Sequence, residues 1–168
     1  MIKHTTFALA LLAAASAPAA AASDNDNLVD FQSLAPGLAV ELAQATMKAC
    51  EEKGYQVSVA VVDRFGVPQV MLRDRFAGPH TPDTAVSKAY TAVSFRTDTL
   101  SLVEPTQSGK PQSGARSIPD VVMLGGGELV SAGGRLVAGV GVSGAPSGEA
   151  DAACAKAGIE AVESKLLF

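Results

Sequence analysis

The spacing of apolar residues changes rhythm several times along the chain, and each change marks an element. From Leu34 to Lys53 the repeat is helical, with Leu34, Leu38, Leu42, Ala45 and Ala49 on one face and Gly54 as a stop. A second stripe on this helix holds only small residues, Ala39, Ala43, Thr46 and Cys50. Gln56 to Asp63 (QVSVAVVD) is valine-rich and nearly apolar on both faces, which predicts a buried strand. Asp63-Arg64-Phe65-Gly66 has turn chemistry, so Val67 to Arg73 reads as the second strand of a hairpin. Pro68, near its start, places that strand at a sheet edge.

A polar loop from Arg73 to His80 precedes a helix expected from Thr81 or Asp83 to about Phe95, with Pro82 in its first turn. Thr97 to Pro119 is the least regular stretch, with a short helix near Leu100 to Val103. Three short strands are expected at Val121 to Leu124, Glu128 to Ser131 and Leu136 to Ser143. Gly125-Gly126-Gly127 and Gly133-Gly134 separate them. A last helix runs from Gly148 to about Lys165, with a small-residue stripe of Ala150, Cys154, Ala157 and Ala161. This order predicts an α+β fold: a central antiparallel sheet of about five strands with amino- and carboxy-terminal helices packed against it.

The amino terminus follows none of these rhythms. Lys3 supplies a positive start, Phe7 to Ala15 a short apolar run, and Ala17, Ala20 and Ala22 a small-residue stretch that suits signal peptidase. The run is too short to span a bilayer, which sets a cleaved signal peptide over residues 1–22 against the competing reading of an uncleaved anchor. The mature chain then begins near Ser23, with a flexible linker over 23–33 and one domain over 34–168. A periplasmic or secreted location follows, with no membrane insertion once the signal is removed.

Export changes how the cysteines read. Cys50 and Cys154 each sit in the small-residue stripe of a helix, where two helices can approach closely. An oxidising compartment makes a Cys50–Cys154 disulfide the expectation, with two buried free thiols as the alternative. A net charge of −4 with few clustered basic residues argues against nucleic acid. Once the signal peptide and His4 are removed, His80 is the one histidine left, which makes a zinc site improbable.

The chemistry that remains favours binding over catalysis. There is no GxSxG elbow, and Asp63 and Asp74 have no evident partner carboxylate. In the last strand, Leu136, Ala138, Val140 and Val142 alternate with Val137, Gly139, Gly141 and Ser143. The glycines leave one face bare for a packed helix or for a flat ligand. Gly125-Gly126-Gly127 reads as a tight turn or close backbone approach, and only weakly as a phosphate cradle. His80 is the natural axial candidate for a haem iron, or else a solvated loop residue. Lys88, Tyr90 and Thr91 on the second helix, with Arg73 and Arg75 in the preceding loop, are the further ligand candidates; Lys88 and the arginines could meet carboxylates or propionates, or simply face water. Tyr90 and Met71 are the next iron ligands to consider should His80 not serve.

Taken in order, Val59-Ala60-Val61-Val62-Asp63, a turn glycine, Lys88-Ala89-Tyr90-Thr91-Ala92, Gly125-Gly126-Gly127 and Asp151-Ala152-Ala153-Cys154-Ala155-Lys156-Ala157-Gly158 resemble the GlcG/HbpS-like family, also called the haem-degrading or PduO carboxy-terminal-like domain. The likeness runs from about Leu34 to Ile159. It implies a profilin- or PAS-like sandwich, a homo-oligomer, and non-covalent binding of haem or a related tetrapyrrole. Exported members look like haem binders that sense or buffer redox stress, while others resemble corrinoid-pathway or glycolate-operon accessory proteins. A small-molecule binder for a corrinoid or an organic acid, and a haem-degrading enzyme, are the rival functions. The resemblance carries His80 and the triple glycine over as ligand-binding candidates. Where the family commonly has aspartate then glutamate, this chain has Asp151-Ala152.

Overall fold

The computed structural model describes residues 27–167, so the expected signal peptide lies outside the described residues. From Phe31 onward the chain forms one compact unit. Its elements are α1 (Pro36–Glu51), β1 (Ser58–Asp63), β2 (Pro68–Arg73), α2 (Thr81–Phe95), α3 (Leu100–Val103), β3 (Gly127–Ala132), β4 (Arg135–Ser143) and α4 (Gly148–Val162). Short 3-10 turns at Ser113–Ser117 and Glu163–Lys165 complete it. Among the described residues no helix is long and apolar enough to cross a membrane.

The sheet is antiparallel throughout, with order β2-β1-β4-β3. It has four strands where the sequence suggests five. Val121 to Leu124 is extended but unpaired with the sheet, because the Val122 N–H donates to Thr91 Oγ1 on α2 at 2.9 Å. The hairpin and its edge position are as expected. Asp63 Oδ1 accepts from the N–H groups of Phe65 and Val67 at 2.8 and 3.0 Å, and Gly66 takes a positive φ of 87°. Pro68 pairs with Val62 beyond a bulge, where no ladder N–H is needed. Phe31, assigned to the linker from sequence, sets its ring edge-on to Phe65 at 5.2 Å, with Arg64 over it at 4.2 Å.

The two faces of the sheet are packed by different means. Val59, Val61, Val140 and Val142 build the main core beneath α1 and α4. The opposite face carries Ala60 beside Gly141 and Val62 beside Gly139, and α2 lies across them. A methyl group on Gly141 would stand 2.0 Å from the Ala85 carbonyl oxygen, and one on Gly139 would stand 2.6 Å from Val93 Cγ1. The bare glycine face is therefore covered by a helix and is not open to a ligand. The alternation also breaks at one point. Between Val130 and Ser131 the β3–β4 register slips, leaving Val137 without a partner. Val137 consequently joins the α1/α4 core, and Leu136 packs toward Val62, Ala89 and Val93.

Helix phases are the second correction. On α1 the small-residue stripe is the one fully buried, together with Leu42, while Leu38, Ala45 and Ala49 are half-buried. On α4 the buried stripe is Asp151, Ala152, Cys154, Ala155, Gly158 and Val162, and Ala161 faces water. So many alanines make every face of α4 look alike to a periodicity argument. The two helices do meet closely: a methyl on Gly158 would lie 1.9 Å from Thr46 Oγ1. Cys50 and Cys154 form a disulfide there, with Cα atoms 5.4 Å apart across a sequence separation of 104.

Two outcomes follow for stability. Replacing both cysteines by alanine should lower the unfolding free energy by about 2–5 kcal/mol in urea denaturation, since a long loop is released in the unfolded chain. Gly141→Ala should cost about 1–3 kcal/mol through displacement of α2, and an unchanged denaturation midpoint would contradict this packing.

Candidate functional site

One cleft gathers residues from four separate segments. It has a volume of about 510 Å³ and lies between the start of α2, α3, the Leu124-Gly125 bend and the start of α4. That size falls within the ordinary range for small-molecule sites. Leu100, Val103 and Leu124 give it an apolar wall, while His80, Thr84 and Ser147 bring polar groups to its rim. His80 is the exposed residue preceding α2, and its backbone carbonyl accepts from the N–H and the hydroxyl of Thr84.

Lys88 and Asp151 also line the cleft, and both are almost wholly buried, with side chains 4 % exposed. Lys88 Nζ donates to Asp151 Oδ2 at 2.6 Å and to the Val142 carbonyl at 2.9 Å. Asp151 Oδ1 accepts from the Ala145 N–H at 3.0 Å. Burial pushes the Asp151 carboxyl above the usual aspartate range, against the pull of Lys88 and the Ala145 N–H. The pair joins α2, the end of β4, the turn after it and the first turn of α4. Ser147 caps that helix by accepting from the Ala150 N–H at 3.2 Å. Glu149, exposed beside it, is held below the ordinary glutamate range by hydrogen bonds to Ser147 and to its own backbone.

The triple glycine is a close backbone approach, wedged against this pair. Gly126 has φ 116°, and a methyl there would meet Asp151 Cβ at 2.6 Å and Lys88 Nζ at 3.1 Å. Gly127 is pressed on the Lys88 carbonyl, and Gly125 on the backbone of Gly148. Any side chain at these positions would push the buried pair apart.

Of the candidate residues, the structure brings His80, Lys88 and Gly125 to the cleft, with Gly126 and Gly127 packed behind it. The others lie elsewhere. Arg73 donates to the Ala77 carbonyl, and Arg75 stacks on Phe76 at 4.9 Å. Tyr90 covers Gly66 of the hairpin turn. Thr91 bonds the Ser87 carbonyl at 2.7 Å and receives the Val122 N–H. Met71 is exposed on β2 and does not line the cleft. Among the described residues no three His, Cys, Asp or Glu side chains converge on a metal site, so His80 stands as a single donor.

Asp151 is the residue that sequence reasoning missed. A lysine set among alanines on a helix calls for a buried partner, but nothing local indicates a carboxylate 63 residues away. The available signal was its place in the first turn of a capped helix. Removing one partner, as in Asp151→Asn or Lys88→Met, should cost about 3–5 kcal/mol. The double substitution should cost less than the sum of the two. Additive losses in a double-mutant cycle would show that the pair does not act as a unit.

Comparison with known proteins gives this geometry a lineage. A family model described as haem degrading protein HbpS-like matches residues 34–160. None of the curated proteins matches the chain. Among solved structures, the crystal structure of a double glutamate-to-aspartate mutant of Streptomyces reticuli HbpS is 40% identical, covering 88% of this chain and 98% of that one, with a TM-score of 0.76. Klebsiella pneumoniae protein ORFY is 25% identical over 82% of this chain and 95% of its own, with a TM-score of 0.78. A PduOC structure solved as its haem complex is 31% identical, covers 77% and 94% of the two chains, and has a TM-score of 0.72. The chain belongs to the HbpS-like family of haem-degrading proteins.

Proposed function

We propose that this protein is an exported, non-covalent binder of haem or a related tetrapyrrole, working as a homo-oligomer that senses or buffers haem outside the cytoplasm. The observation that carries the reading is the cleft: an apolar wall and an exposed imidazole face one space of about 510 Å³. A tetrapyrrole needs both, a surface for its ring and a donor for its metal. Leu100, Val103 and Leu124 would supply the first and His80 the second. The relative solved as a haem complex supports the same ligand class.

The fit is better for the ring than for its carboxylates. Arg73 and Arg75 point to other partners, and the Lys88 ammonium already serves Asp151 and Val142. The propionates are then left to the rim, where Thr84, Ser147 and the start of α4 offer polar groups. Bound haem would supply redox-active iron, and His80 would hold that iron in place. The buried pair behind the cleft fixes the position of the α4 amino terminus against α2.

Hemin titration of the mature, disulfide-intact protein should give a saturable Soret shift, and His80→Ala should alter the spectrum of the complex. No saturation in the wild type would contradict haem binding. An identical spectrum in His80→Ala would move the iron ligand away from His80.

A further inference from the structure

Behind the cleft lies a carboxylate that the site does not use. Glu128 sits on β3 one residue after the triple glycine, facing α4, with its side chain 7 % exposed. Its Oε1 is buried and makes no hydrogen bond among the described residues. Two charged groups face it. Lys156 Nζ, on α4, stands 3.8 Å from Oε1 and is itself half in water. Asp98, in the turn before α3, adds a like charge. Orphaned buried carboxylates are rare enough to call for a reason.

The position joins both walls of the cleft. Next door, Gly127 exchanges hydrogen bonds with Thr99: its N–H donates to Thr99 Oγ1 at 2.8 Å, and its carbonyl accepts the Thr99 N–H at 2.9 Å. Asp98 Oδ1 in turn caps α3 through the N–H and hydroxyl of Ser101 at 3.0 and 2.8 Å. α3 carries Leu100 and Val103 into the cleft, and α4, which holds Lys156, carries Gly148, Glu149 and Asp151 into it.

We propose that Glu128 is a proton-operated latch between β3 and α4. In its neutral form it seats the strand against the helix; once ionised, it draws Lys156 and water into the junction, repels Asp98, and loosens both walls of the cleft. Burial, the largest effect, lifts this carboxyl from 4.5 to about 7; Lys156 opposes the rise and Asp98 adds to it. The sign is then fixed. A carboxyl whose folded pKa is raised contributes stability that is complete below its unfolded pKa and is lost as pH rises through the folded value. Mild acid closes the latch and mild alkali opens it. Its consequence for ligand retention rests on the haem reading above; the latch itself does not.

Two measurements on the ligand-free protein test it. In amide hydrogen exchange, protection factors across α3 and the first turn of α4 should fall about tenfold from pH 6 to pH 8 in the wild type, as linkage gives for this pair of pKa values. In Glu128→Gln they should stay nearly constant. Parallel behaviour of the two proteins would overturn the latch. Carbon-detected NMR of the wild-type Glu128 carboxyl should show titration near neutrality, and titration in the ordinary glutamate range would overturn it without any variant. Because neither readout uses haem, a protein that binds no hemin can still pass both, and one that binds hemin can fail both.

Discussion

Lys88 and Asp151 are drawn together from distant parts of the sequence into a place that water does not reach, and the surrounding chain is shaped by that demand. A buried ion pair is tolerable only if its remaining hydrogen-bonding groups are met. Here they are met by backbone: the Val142 carbonyl on the lysine and the Ala145 N–H on the aspartate. Meeting them fixes where β4 ends, how the chain turns, and where α4 begins. It also explains the run of three glycines, since Gly126 passes within contact distance of both charged side chains and Gly127 rests on the lysine's own carbonyl. The cleft is the space left in front of this junction.

The same economy of side chains governs the sheet. Valines on one face of β1 and β4 fill the deep core under two helices, whereas glycine and alanine on the other face let α2 come down almost onto the backbone. That close approach brings Lys88, on α2, within reach of the strand end and of α4. On the far side, Gly158 lets α4 meet α1 closely and the Cys50–Cys154 bridge joins them. Both faces thus depend on small residues at crossings, and large side chains are confined to the strands between.

Much of this was legible in the sequence, and the failures are instructive. The hairpin was marked by Asp63, Gly66 and Pro68, each with its own local chemistry. The disulfide was marked by two cysteines in small-residue stripes. The fifth strand failed because Val121 to Leu124 has the composition of a strand, but its hydrogen bond goes to a threonine hydroxyl on α2. The phase of α4 failed because alanine on every face erases the signal. At the site, His80, Lys88 and Gly125 were found as lone unusual residues, whereas Asp151 was found only in three dimensions. Arg73, Arg75, Tyr90 and Thr91 looked equally suitable in one dimension, yet each has a partner of its own away from the cleft.

Everything functional in this account hangs on the ligand entering between α2, α3 and the start of α4. The most direct test is an amide NMR titration with gallium protoporphyrin IX, a diamagnetic stand-in for haem. Shifts concentrated at His80 to Thr84, Leu100 to Val103, Leu124 to Gly125 and Ser147 to Glu149 are the predicted result. Shifts gathered instead along β2 and its following loop, around Met71, Arg73 and Arg75, with the cleft unmoved, would contradict it.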